Sequence, residues 1–226
     1  MRPDKRNTND IRVTHTALGQ LHRADGSGRY QFGDSSVLCG IYGPAAIGLR
    51  DEKLDRAVIE VSFSAAHGKS TTRERLHERL LRSTFETAIL SALHPRTGIR
   101  ITCQTLCDDG AVLATSINAT MLALMDAGIP LRSVITAVSC MVDKEGEVFL
   151  DPTALELKEA QSTHTFAFDN VSGGVVSCES TGVFTEEEYE SCYDICKQGS
   201  DAIERFLRHA LQKKLEKQSG LDFGKS

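Results

Sequence analysis

Asp108-Asp109-Gly110-Ala111-Val112-Leu113-Ala114-Thr115-Ser116-Ile117-Asn118, continuing to Leu124-Met125-Asp126-Ala127-Gly128-Ile129-Pro130, is the stretch that decides how this chain is read. An acidic turn containing glycine leads into a helix over about 113–127, with Ile117, Met121, Leu124 and Met125 apolar. Gly128 is placed as a left-handed stop, and Pro130 prevents continuation. Before the turn, residues 99–106 (IRITCQTL) alternate apolar and polar with the period of a strand. A strand that turns directly into a helix can hold an anion on its backbone N–H groups. Ala111, Val112 and Leu113 add neither a cation nor clustered glycine, so an apolar helix start packed on a sheet is the simpler reading.

Working outward, residues 26–32 and 36–42 read as a hairpin about Gly33-Asp34 that Gly43-Pro44 closes. Residues 58–63 alternate again. Thr71 followed by Glu74 is a capping-box pattern for the next helix. Leu76, Leu80, Thr84 and Ala88, with Leu81 and Phe85 beside them, form its apolar arc, and Arg75, Arg79 and Arg82 lie opposite. His94-Pro95-Arg96-Thr97-Gly98 ends it. Downstream, 134–138 and 148–150 form a hairpin about Asp143-Lys144-Glu145-Gly146, followed by strands near 165–168 and 175–179. Thr185 opens the last helix, with acids in its first turn and basic residues toward its end, as the helix dipole favours. The order β-β-β-α-β-α-β-β-β-β-α groups strands and inserts helices, which is an α+β pattern. It predicts one domain over 1–217 and a disordered tail over 218–226.

The composition sets limits on function. The chain has 226 residues, 26 Lys+Arg, 31 Asp+Glu, a net charge of -5 and 40% hydrophobic residues. Bulk coating of nucleic acid needs a net basic surface and is excluded. The acidity is local, however: residues 1–142 carry +3, 143–194 carry -11 and 195–226 carry +3. No uncharged stretch reaches the roughly 20 apolar residues of a membrane span, and no secretory signal is expected at the start. Seven Cys at irregular spacing predict reduced, mostly buried thiols, with no disulfide and no metal-ligand spacing.

Met1-Arg2-Pro3-Asp4-Lys5-Arg6 with Arg12, then Ala24-Asp25-Gly26-Ser27, Gly33-Asp34-Ser35-Ser36-Val37-Leu38, Asp109-Gly110, the 124–130 segment and Val148-Phe149-Leu150-Asp151-Pro152-Thr153 together resemble the RNase PH family. With Tyr42-Gly43-Pro44 and His94-Pro95-Arg96-Thr97, the likeness is greatest to its ring subunits in the eukaryotic RNA exosome. The ordered match spans about 1–214. It implies a single RNase PH-like domain of mixed β-sheets with inserted helices and a C-terminal helix.

Phosphorolytic members attack the terminal phosphodiester with phosphate, which needs a cationic cradle and an acidic group near the leaving oxygen. Where they carry Gly-Thr-Arg after Asp-Gly, this chain has Ala111, Val112 and Leu113; where they carry a second helical Arg beyond the match at Arg82, it has Phe85. Their two further Asp align with Leu157 and Thr163. The resemblance therefore implies a noncatalytic ring subunit with no cofactor. Its partners would be other RNase-PH-type exosome subunits, RNA-binding cap subunits and RNA, with no membrane and a homodimer possible in isolation. Nucleus, nucleolus and cytoplasm are the implied locations. Lys69, Arg73, Arg75 and Arg96 are the candidate RNA contacts, with Lys69 and Arg73 nearest the implied channel mouth; a solvated helix face is the competing reading. Two alternatives stay open: a 3'-5' exoribonuclease with residual phosphate- or Mg2+-dependent activity, the latter through Asp108, Asp109 and Asp151, and an RNA- or DNA-binding homodimer acting outside the ring.

Overall fold

A computed structural model describes residues 2, 6–67 and 71–219. The elements run β1 (Thr14–Leu18), β2 (Gly26–Phe32), β3 (Ser35–Ala46), β4 (Val58–Ser64), α1 (Thr72–Ala88), β5 (Thr97–Cys107), α2 (Val112–Asp126), β6 (Ile135–Val142), β7 (Val148–Leu150), β8 (Ser162–Asp169), β9 (Val175–Gly182) and α3 (Glu186–Ser219). Two sheets form, in the orders β1-β2-β3-β5-β4 and β7-β6-β8-β9. Neighbours pair antiparallel except β4 and β5, which run parallel with α1 as their crossover.

α2 is buried without interruption from Leu113 to Leu124 and packs on both sheets. A helix buried on all sides belongs inside a core, here between the two sheets. Its approach to β2 depends on glycine: a Cβ at Gly26 would lie 2.3 Å from the Ala127 nitrogen, and one at Gly28 2.9 Å from the Ala119 carbonyl. Polar side chains on α2 are satisfied internally. Asn118 donates to the Ala137 carbonyl and accepts from the Ala137 N–H, both at 2.9 Å, which ties α2 to β6. At its end, Gly128 (φ 69°) donates to Met125 and Ile129 donates to Leu124, the paired bonds of a glycine-terminated helix.

Four readings of the sequence need correction. β1 lies in a stretch without clean alternation, and no strand is expected there. β3 does not stop at Gly43-Pro44 but continues past a register shift to Ala46. α1 ends at Ala88, because the chain after α2 captures residues 89 and 90: Leu90 donates to Pro130, Arg132 donates to Ala88, and Ile89 bridges Leu131. The buried arc of α1 is His77, Leu81, Thr84, Phe85 and Ala88, while Leu76 is 43% exposed. The capping boxes at Thr71–Glu74 and Thr185–Glu188 both form. α3 runs two residues into the stretch expected as a tail; 220–226 lie outside the described residues. All seven cysteines are free, five buried and two (Cys107, Cys178) exposed.

Candidate functional site

The turn between β5 and α2 is built by left-handed backbone. Gly110 has φ 83° and Ala111 φ 55°. A Cβ at Gly110 would lie 2.7 Å from the Pro152 carbonyl, so glycine is required there. Ser35 pins the turn by donating to the Gly110 carbonyl at 2.6 Å and accepting from the Asp109 N–H at 2.9 Å.

This turn forms one wall of a cleft of about 90 Å³. Ala111, Val112 and Leu113 line it from the start of α2, Leu157 from the turn after β7, and Thr163 from β8. Thus five positions from three separate parts of the sequence come together, and Arg73 of α1 joins them. The other candidates do not. Phe85 is fully buried and is not among the lining residues, and Arg82 is exposed, because α1 turns Arg73 and His77, one turn apart, toward the cleft instead. The expectation that Phe85 stands at the site is corrected on that ground. Arg75 and Arg96 are exposed outside the cleft, Arg96 in a left-handed turn (φ 60°), and Lys69 lies outside the described residues.

His77, His164 and Glu179 also line the cleft, and the sequence does not single them out, since neither helical nor strand periodicity marks them. His77 stacks edge-on to Phe63 at 5.1 Å, and its Nδ1 is buried with no hydrogen-bond partner among the described residues. Burial, followed by the neighbouring Arg73 charge, holds its pKa below the usual range. Burial raises the Glu179 carboxyl, against the pull of Arg73. The hydroxyls pair among themselves, Ser139 with Thr165 and Thr163 with Thr181, both at 2.8 Å. Arg73 is the one Lys or Arg among the described residues that line the cleft, beside a helix start walled by Ala111, Val112 and Leu113, two histidines and the paired hydroxyls.

The carboxylates behind the turn are engaged. Arg12 donates through Nη2 to Asp151 Oδ1 at 2.7 Å, through Nε to Oδ2 at 2.9 Å, and through Nη1 to Asp109 Oδ2 at 3.0 Å. Arg2 clamps Glu156 in turn (Nε to Oε1, 2.8 Å) and caps the Leu150 carbonyl. Burial opposes the charge of Arg12, but the Asp151 hydrogen bonds and charge outweigh it and raise its pKa. Asp108 accepts from the Gly110 N–H at 3.1 Å. Among the described residues, no three His, Cys, Asp or Glu side chains are grouped to hold a metal ion.

The pattern described as the 3' exoribonuclease family, domain 1 matches residues 10–130, and that of domain 2 matches 133–199. The chain belongs to the 3' exoribonuclease (RNase PH) family. Similar members of that family include a rice protein named exosome complex exonuclease RRP46 homolog, 32% identical over 94% of this chain and 96% of its own. A Saccharomyces cerevisiae protein named exosome complex component RRP46 is 33% identical over 86% of this chain and 93% of its own. The crystal structure of rice Rrp46 superposes with a TM-score of 0.89 at 34% identity, covering 93% of this chain and all of that one. An Archaeoglobus fulgidus exosome chain shares the RNase PH fold at a TM-score of 0.78 and 19% identity, covering 90% of this chain and 91% of its own.

Proposed function

We propose that this RNase PH chain is a noncatalytic ring subunit of an RNA exosome, which helps form the channel that delivers RNA to a nuclease carried elsewhere. Its partners in this reading are other RNase-PH-type subunits, cap subunits and RNA. The observation that carries the proposal is the cleft itself: Ala111, Val112, Leu113, Leu157 and Thr163 converge where the family resemblance implies a phosphate cradle and two carboxylates. Losing one aligned donor to a developing charge costs about 3 kcal/mol, and several are replaced together. Names of relatives that cover most of the chain support the assembly.

RNA contact is assigned first to Arg73 and Lys69, with Arg75 and Arg96 as outer phosphate contacts. Such contacts position a strand without reading its bases. Charge reversal at Lys69 and Arg73 in a reconstituted ring tests this. Weaker RNA binding with a shallower salt dependence supports it, and an unchanged salt dependence sinks it.

An exonuclease reading has one specific point in its favour, the word exonuclease in the names of the rice and Arabidopsis relatives. It requires RNA loss that tracks added phosphate or Mg2+. Activity lost on Asp151→Ala cannot decide it, because that carboxylate is buried against Arg12.

A further inference from the structure

β1 and the C-terminal part of α3 enclose a groove of about 530 Å³, apart from the cleft. Among the described residues, β1 is the last strand of its sheet and pairs only with β2. Bonds at both ends fix the phase of that ladder: Gly33 N–H donates to the Val13 carbonyl and Gly19 N–H to the Ser27 carbonyl, each at 3.0 Å. Hydrogen-bonded and non-hydrogen-bonded residues alternate along an antiparallel pair. His15 and Ala17 therefore bond to β2, while Thr14, Thr16 and Leu18 turn their N–H and C=O outward, and all of β1 lines the groove.

The opposite wall is basic. α3 presents His209, Lys213 and Lys217 at four-residue intervals, on one face of the helix. Lys214 pairs with Asp126, but Lys213 and Lys217 form no ion pair among the described residues. A free edge offers main-chain donors and acceptors at strand spacing, which an extended peptide matches and a sugar-phosphate chain does not. The flanking lysines select the sign of its charge.

The geometry points to a docking site for an extended acidic segment of a partner protein, added beside β1 as a further strand with its carboxylates toward Lys213 and Lys217. The test uses the full chain and a fluorescent eight-residue peptide alternating Glu and Val, read by anisotropy. Saturable binding is expected. It should weaken about tenfold or more in Lys213→Glu with Lys217→Glu, and as much in Thr16→Pro, which removes an outward N–H and leaves the β2 ladder intact. The same peptide N-methylated at alternate residues should fail on the unaltered protein, so the result does not depend on Thr16→Pro folding. No binding of the acidic peptide, or binding indifferent to N-methylation, overturns the proposal. A labelled oligouridylate whose binding falls with the lysine reversals but ignores Thr16→Pro, with no peptide binding, would make the groove a phosphate surface and overturn it equally.

Discussion

Arg12 holds both carboxylate oxygens of Asp151, and its own backbone N–H donates a third bond to the same side chain at 2.9 Å. Asp151 is 1% exposed and sits in left-handed backbone at φ 50°. The pair fastens the segment before β1 to the turn after β7.

Removing one partner of such a pair leaves an uncompensated buried charge. Asp151→Ala should cost about 3–5 kcal/mol of folding stability, measured by urea unfolding. A loss below about 1 kcal/mol would mean that the pair is solvated in solution.

Glu156 answers to pH through the same segment. Burial raises its pKa, but the Arg2 hydrogen bond and the Thr153 N–H outweigh it, so the folded-state value is lowered. The unfolded chain then binds the proton more readily. The contribution of Glu156 is complete above the ordinary glutamate value of about 4.3 and is lost as pH falls through the lower folded value. Glu156→Gln should flatten the acid limb of a stability-against-pH curve, and an unaltered limb would refute the assignment.

His77 shows the same sign in a higher window. Its folded pKa is lowered by burial and by Arg73, so the unfolded state takes up protons first. Its stability contribution is present above about 6.5 and declines below it. In His77→Leu, which keeps an apolar contact to Phe63, the fall in melting temperature from neutral to mildly acid pH should shrink. An equal fall in both proteins would show that His77 does not titrate on unfolding.

Gly26 and Gly28 set how closely α2 lies on β2. Gly28→Ala places a methyl group 2.9 Å from the Ala119 carbonyl and the Ala123 nitrogen, both backbone atoms that cannot rotate away. Destabilisation of about 1–3 kcal/mol is expected from such overpacking. A denaturation midpoint equal to the unaltered protein's would show that the helix moves freely.

Most strands and all three long helices are legible in the sequence, since period two, period 3.6, capping boxes and Gly128 are local signals. β1 is not, because an edge strand beside a polar groove has no alternation to reveal it. The end of α1 is also hidden, for its stop is a tertiary event: capture of residues 89 and 90 by 130 and 131. Within the site, Ala111–Leu113 meet Leu157 and Thr163 only through the tertiary fold, which no local signal announces. His77 and Glu179 are not legible either: His77 is a polar residue on the buried arc of α1 with Leu81, Phe85 and Ala88, and Glu179 shares its strand face with Ser177 and Thr181, so neither carries a periodic signature. Phe85 misleads for the opposite reason: a helical offset fixes a face only when the buried arc is known, and that arc runs through His77 and Leu81 instead of Leu76 and Leu80.

The central claim is that the cleft no longer performs phosphorolysis. The most direct measurement incubates the purified chain with a 3'-labelled oligonucleotide and follows nucleoside diphosphate release as inorganic phosphate is raised, with an Arg73→Glu variant in parallel. The account predicts no release above a buffer blank at any phosphate concentration, in either protein. Release that rises with phosphate and disappears in Arg73→Glu would contradict it.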